Sequence, residues 1–204
     1  MTVRFGCFGA LAALAIAVLA PLPASAEAPC SGHQLLDTPR PEESCQTLVP
    51  EIFISPDKTL HALVLPVDVS LYATPDMESR VVIRTSDGNT LNSKDHSSPR
   101  GEQGYYVYAA KWSPDAGFFV YSLTSAAGHQ PWSFPIVVYS RSRKAFAKFN
   151  DMIGGEPTLS GDFDFSGPHA LTAKTWKKQG DIENPVPITV DLEKAFAKLK
   201  PAEQ

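Results

Sequence analysis

Lys144-Ala145-Phe146-Ala147-Lys148 is a pentapeptide that recurs letter for letter as Lys194-Ala195-Phe196-Ala197-Lys198, fifty positions later. Just upstream of each copy, Pro135-Ile136-x-Val138 recurs as Pro187-Ile188-x-Val190, at a shift of fifty-two. The two matches keep their order, and the small difference in spacing falls in the connecting turn, where loop length varies most easily. The sequence therefore predicts a repeated structural unit of about fifty residues.

A turn motif supports the same repeat. Ser55-Pro56-Asp57 matches Ser113-Pro114-Asp115, and the looser Phe165-Ser166-Gly167-Pro168 stands in the third position. Proline in the second position, with Ser before it and Asp after it, is typical of a type I turn. Two strand-like runs follow each turn, at 59–67 and 80–84, 117–123 and 134–139, and 169–176 and 185–190.

These residues resemble the repeat units of TolB-type and WD-repeat-like β-propellers, in which a strand enters an S-P-D-G-like turn and three further antiparallel strands complete a blade. The resemblance implies an all-β fold of about three antiparallel β-meander units, with blades over 48–97, 105–154 and 157–198. Lys58 and Ala116 replace the glycine of that turn. Propellers close with four to eight blades, so three units leave open sheet edges and predict a homodimer that completes a six-bladed ring.

Two segments of the repeat are open to a second interpretation. The pattern Asp191-Leu192-x-x-Ala195-Phe196-x-x-Leu199 also fits a short amphipathic helix that Asp191 caps and Pro201 stops. Residues 142–153, followed by Gly154-Gly155, fit a helix with a glycine C-cap. Hairpin-like turns after β-branched runs favour strands in both segments. A short C-terminal helix, or an α+β fold of strand-strand-helix units, is the alternative.

The first 26 residues have the pattern of a secretory signal peptide. Arg4 supplies the positive charge, residues 10–20 are almost all Ala, Leu, Ile or Val, and Ala24-Ser25-Ala26 offers a small-residue cleavage site. We therefore expect a periplasmic or extracellular protein with an N-terminal extension at 27–47 and a single β-rich domain at 48–200. No second apolar run of 18 residues follows, so no membrane span is expected after signal removal.

If the protein is exported, the two cysteines that remain after signal removal can form a disulfide. Cys7 leaves with the signal peptide, and Cys30 and Cys45 then form an even pair in an oxidising compartment, which predicts a disulfide. Closing a loop of that size contributes about 3 kcal/mol in the chain-entropy model. The net charge of −4 at pH 7 argues against nucleic acid as a partner.

Signatures of chemistry are scarce in this sequence. It contains no G-x-S-x-G, no phosphate-binding glycine loop and no metal-ligand spacing among its histidines, which are His33, His61, His96, His129 and His169. Asp162 and Asp164 suggest calcium only weakly, and polar alternation around the core residues Phe163 and Phe165 is favoured. We expect no catalytic residues, no metal site and no cofactor.

One aromatic segment stands out as a candidate binding loop. Gly128-His129-Gln130-Pro131-Trp132-Ser133-Phe134-Pro135 joins two apolar strands and is stiffened by two prolines. Large aromatics on a preordered loop are common anchors of binding surfaces, although such a segment more often plugs the end of a sheet. The candidate binding residues are His129, Gln130, Trp132 and Phe134. The alternating Tyr106 and Tyr108 are predicted to pack within a strand rather than to form a stacking platform.

Together these features favour a non-enzymatic exported protein that presents loops to a protein partner or a small-molecule ligand on a β-repeat scaffold. The alternative, from another class, is a small extracytoplasmic hydrolase or an inhibitor of one. A cleft that joins Asp162, Asp164 or paired histidines to a nucleophile would favour the enzyme. An exposed Trp132 would favour binding.

Overall fold

The described part of the chain consists of antiparallel β-sheets. The structure, a computed structural model, describes residues 50–67, 78–99, 103–126, 132–176 and 181–199. The predicted signal peptide (1–26), the extension (27–47) and the Cys30–Cys45 disulfide lie outside these residues. Within them, no helix is long and apolar enough to cross a membrane.

Three sheets follow one another along the chain. The strands of the first are β1 (Glu51–Ile54), β2 (Leu60–Pro66), β3 (Ser79–Thr85) and β4 (Thr90–Asp95), and those of the second are β5 (Tyr105–Trp112), β6 (Phe118–Ser125), β7 (Ile136–Ser140) and β8 (Ala145–Lys148). After the short helix α1 (Phe149–Met152), the third sheet contains β9 (Asp164–Phe165), β10 (Ala170–Trp176) and β11 (Pro185–Asp191), and the helix α2 (Leu192–Lys198) follows. The predicted mostly-β fold of antiparallel units is confirmed.

The predicted Ser-Pro-Asp turns connect β1 to β2 and β5 to β6. The buried Ser55 hydroxyl donates to the Asp57 carboxylate at 2.7 Å and accepts from the backbone N–H of Leu60 at 2.9 Å. Ser113 and Asp115 repeat both bonds, at 2.6 and 2.9 Å. The serine therefore fixes the start of the second strand in each hairpin, which explains why this motif marks the repeat.

Positive φ angles explain why the propeller repeats that this chain resembles have a glycine after Ser-Pro-Asp. Lys58 has a φ of 60° and Ala116 a φ of 59°. Side chains other than glycine are disfavoured in this left-handed region by about 1 kcal/mol per residue. The chain thus keeps the turn conformation without the residue that best suits it.

Two hydrophobic cores hold the three sheets together. Because neighbours in a strand point to opposite faces, β6 places Phe119 and Tyr121 in one core and Phe118 and Val120 in the other. The first core lies between the first and second sheets and contains Leu60, Ala62, Val64, Val81, Ile83, Trp112, Phe119, Tyr121, Leu123, Val137, Tyr139 and Phe146. The second lies between the second and third sheets and contains Phe118, Val120, Ile136, Val138, Ala147, Phe149, Phe163, Leu171, Ala173, Leu192 and Phe196. The middle sheet is therefore buried on both faces.

The repeated pentapeptide adopts a different structure in each copy. In the first copy, Lys144 ends a turn with a φ of 51°, and the next four residues form β8, in which Phe146 pairs with Tyr139. In the second copy, the Asp191 side chain accepts from the backbone N–H of Lys194 at 3.1 Å and caps α2. In the segment 142–153 the favoured strand forms only over Ala145–Lys148, and the alternative helix forms over Phe149–Met152. In the second copy the favoured strand is wrong, and the alternative C-terminal helix forms.

The structural alignment of β7 with β11 differs by one residue from the Pro-Ile-x-Val match in the sequence. Ser140 pairs with the first residue of β6, and Asp191 pairs with the first residue of β10, so the structural shift is fifty-one. This shift makes Val137 the equivalent of Ile188, and both side chains face the preceding sheet. A one-residue slip in a strand exchanges its two faces, so the Pro-Ile-x-Val match aligns residues with opposite orientations.

Candidate functional site

In each sheet, the strand ends that the longer connections join lie on one side of the sheet. These are the strand ends that lead from β2 to β3, from β4 to β5, from β6 to β7 and from β10 to β11. They lie on one side because neighbouring strands run in opposite directions. The short turns lie at the other end, where Arg141 in the β7–β8 turn pairs with Asp57 in the β1–β2 turn at 2.5 Å. We call the side of the long connections the long-loop end. Loops on a rigid scaffold are the usual position of binding residues.

An aromatic patch lies at the long-loop end, and we define it as Tyr108, Trp132 and Phe134. Trp132 is 51% exposed and Tyr108 is 53% exposed. The rings of Tyr108 and Phe134 meet edge to face, with centroids 5.5 Å apart. Phe134 is half-buried, and the exposed Trp132 lies two residues before it in the chain.

A β-bulge turns Tyr108 outward. Val107 pairs with Leu123 and Ala109 pairs with Ser122, so Tyr108 has no opposite residue on β6. The extra residue of a bulge re-aims its side chain. The prediction that Tyr108 packs as an ordinary strand residue is therefore wrong. The alternation of residue types in the sequence does not indicate a bulge at this position.

The chain beneath the aromatic patch is held by hydrogen bonds and by a glycine. A Cβ on Gly161 would collide with the Tyr108 ring and press on Phe134. The Ser122 hydroxyl donates to the Gly161 carbonyl at 2.7 Å. The Phe134 N–H donates to the Thr158 carbonyl at 3.0 Å, and the Thr158 hydroxyl donates to the Phe134 carbonyl. Tyr108 and Phe134 are therefore held in place.

The predicted binding residues divide into two groups. His129 and Gln130 lie outside the described residues, whereas Trp132 and Phe134 both lie in the aromatic patch. Phe134 packs on Tyr108 and acts as the plug that such a loop commonly supplies. Trp132 projects into solvent. Sequence reasoning missed Tyr108 and Gly161 because their roles depend on residues distant in the chain.

The acidic pair near the patch follows the predicted alternation. Phe163 is buried, Asp162 and Asp164 are exposed, and Phe165 packs against the second core. Asp164 forms an ion pair of 2.9 Å with Lys111, whose hydrogen bond lowers the pKa of the Asp164 carboxyl. Among the residues that the structure describes, no group of three His, Cys, Asp or Glu side chains is placed to hold a metal ion.

A second polar cluster lies at the short-turn end, away from the patch. His169 Nδ1 is 3.3 Å from Asp115 Oδ2, and His169 Nε2 is 3.8 Å from Glu193. Ser113 is fully buried and donates its hydroxyl to Asp115 rather than to His169. A nucleophilic serine must be exposed and bonded to its base, so these residues do not form a catalytic triad.

His96 is half-buried against the first core, and its protonation connects stability to pH. Its Nε2 lies 2.8 Å from the Tyr121 hydroxyl, and the two rings meet edge to face. Burial lowers the pKa of His96 from its ordinary value of 6.5 to about 4, because the charged ring loses its water.

We expect acid to destabilise the wild type through His96. Between pH 6.5 and 4 the unfolded chain binds a proton that the folded chain excludes, so the free energy of unfolding falls as the pH falls, on the order of 3 kcal/mol in total. Urea unfolding of the wild type and of His96→Gln at several pH values isolates the contribution of His96 to this loss of stability. Glutamine keeps a hydrogen bond to Tyr121 but does not titrate, so its curve should lack the loss. Parallel curves would contradict the assignment.

No family model matches this sequence, and no curated protein matches it. Among solved structures, a periplasmic gluconolactonase of Pseudomonas aeruginosa is similar with a TM-score of 0.38 and 13% sequence identity. The match covers 71% of this chain and 40% of that enzyme's chain, so this chain spans less than half of its length.

Proposed function

We propose that this chain is an exported, non-enzymatic interaction protein that binds a protein partner through the aromatic patch. The observation that carries the proposal is the exposure of Trp132 and Tyr108 on segments that Gly161 and Thr158 hold in place. Aromatic anchors on a rigid frame bury a large area and lose little conformational entropy when they bind. Export rests on the signal-peptide pattern at 1–26.

The polar groups near the patch fit binding better than catalysis. The Asp164 carboxylate is paired with Lys111, whose hydrogen bond lowers the pKa of that carboxyl and makes it a weaker base. The buried Ser113 and its bonded Asp115 belong to a structural turn at the opposite end. Of the alternatives, an inhibitor of an extracytoplasmic hydrolase remains compatible, since Trp132 could enter the cleft of its target.

The test is partner capture from the extracytoplasmic fraction of the producing cell, with wild type and Trp132→Ala as baits. Trp132→Ala should lower the recovered partner roughly tenfold or more, as expected for an aromatic hot spot. Ile182→Ala is the matched control, because Ile182 is 48% exposed outside the patch. It should retain the partner.

Two results would contradict the proposal. Equal recovery with all three baits would show that binding does not use the patch. Absence of any stoichiometric partner, together with hydrolysis of a substrate panel by the wild type, would favour the enzyme.

A further inference from the structure

The segment that leads into β9 alternates between buried and exposed residues, as an extended chain does. Gly161 and Phe163 are buried, whereas Asp162 and Asp164 are exposed. Residues two apart in such a segment point to the same side and lie about 7 Å from each other. The two carboxylates therefore stand side by side at the surface, each directly after a buried position.

A cation of the chain already occupies the second of these two positions. The Lys111 ammonium lies 5.3 Å from the centroid of the Phe163 ring and 2.9 Å from Asp164 Oδ1. The electron-rich face of the ring and the opposite charge of the carboxylate both attract an ammonium group. Phe163 and Asp164, an aromatic ring followed by a carboxylate, thus form a cation site that the chain itself fills.

A similar combination of ring and carboxylate stands two residues earlier. Gly161 has no ring of its own, and the Tyr108 ring lies where a Cβ of Gly161 would point. Asp162 follows directly. Among the described residues, its carboxylate accepts only a long hydrogen bond of 3.4 Å from the Ser160 hydroxyl and has no ion pair. The described part of the chain therefore supplies no cation to Tyr108 and Asp162.

The charge and the exposure of this second combination suit a cation from outside the chain. Asp162 and Asp164 carry two negative charges against the single positive charge of Lys111, so one carboxylate is left uncompensated. Tyr108 is 53% exposed, so its ring is within reach of a partner. The net charge of −4 at pH 7 attracts cationic groups at longer range.

We propose that Tyr108 and Asp162 bind an arginine side chain of the partner protein. This inference rests on the proposed function and states what the partner presents to the aromatic patch. The guanidinium stacks on the exposed Tyr108 ring and pairs with the Asp162 carboxylate, as Lys111 does with Phe163 and Asp164. Arginine suits the pair better than lysine, because its planar guanidinium stacks on aromatic rings and donates two hydrogen bonds to one carboxylate.

The test measures the dissociation constant of the partner that the capture experiment recovers. Asp162→Asn should weaken binding about fivefold, and Asp162→Lys about twentyfold or more, because a like charge repels the guanidinium. Both variants should remain folded, since Asp162 is exposed. Raising the salt concentration from about 0.05 M to about 0.5 M should weaken wild-type binding more than that of Asp162→Asn. Asp151→Asn, which removes an exposed carboxylate elsewhere, is the matched control and should bind as the wild type does.

Two further comparisons identify the ring contact and the type of cation. Tyr108→Phe keeps an aromatic face and should retain binding, whereas Tyr108→Leu keeps only apolar surface and should weaken binding about fivefold. Treating the partner with phenylglyoxal, which modifies arginine, should abolish the difference between the wild type and Asp162→Asn. Acetylation of the partner's lysines should leave that difference unchanged.

The failure of this inference is distinguishable from the failure of the proposed function. A partner that Trp132→Ala loses but that both Asp162 variants retain overturns the inference and leaves the proposed function intact. Equal weakening by Asp151→Asn and Asp162→Asn shows an effect of net charge alone and also overturns it. Sensitivity to lysine acetylation instead of phenylglyoxal overturns the assignment to arginine. If no partner depends on Trp132, the proposed function is wrong and the inference fails with it.

Discussion

Ala147→Lys is expected to destabilise the protein by more than about 4 kcal/mol, whereas Ala197→Lys should change stability by no more than about 0.5 kcal/mol. The two alanines occupy the same position in identical pentapeptides. Ala147 is 1% exposed in β8 and faces the second core, but Ala197 lies on the solvent side of α2. A lysine at position 147 must bury its ammonium or displace the strand, while a lysine at position 197 stays in water.

Urea unfolding followed by circular dichroism measures both variants. A total stability of about 5–15 kcal/mol is usual for a domain, so Ala147→Lys should unfold much of the population even without denaturant. Phe146→Ala and Phe196→Ala are companion variants, because both rings are buried, and each should lose about 3–5 kcal/mol. Equal losses in Ala147→Lys and Ala197→Lys would show that the two pentapeptides share one structure.

Glu78→Ala is expected to cost about 3 kcal/mol of unfolding free energy. Glu78 is 2% exposed, and its carboxylate accepts from the N–H and the hydroxyl of Ser98 at 2.6 and 2.8 Å. It also accepts from the N–H of Gly104 at 2.6 Å. Removing the carboxylate takes an acceptor from buried donors, which is costly because water does not replace it. Thermal unfolding or urea unfolding gives the value, and Glu78→Gln, which keeps the shape and one acceptor, should lose less.

A double-mutant cycle with Gly104 tests the same contact independently. A Cβ at position 104 would collide with the Glu78 carboxylate, so Gly104→Ala should destabilise the wild type. In the Glu78→Ala background that collision is absent, and Gly104→Ala should cost clearly less. Additive effects would contradict a direct contact between the two residues.

The strands and hairpin starts could be predicted because their signals are local. Ser55-Pro56-Asp57 and Ser113-Pro114-Asp115 carry their own hydrogen bonds within five residues, and a strand-like apolar run follows each turn. The aromatic segment was also recognisable, since Trp132 and Phe134 lie close together in sequence. The bulge at Tyr108 was not, because it depends on the register of β5 against β6.

The sequence by itself determined a mostly-β chain with a unit of about fifty residues, because alternation, turn chemistry and repetition are written in neighbouring positions. Only the tertiary structure decided that Lys144–Lys148 contains a strand and Lys194–Lys198 a helix. Five residues have no intrinsic preference strong enough to outweigh their surroundings. In the first copy, Tyr139 and the rest of β7 offer an edge to pair with. In the second copy, the Asp191 cap, with Leu192 and Phe196 on one helical face, favours burial against the second core.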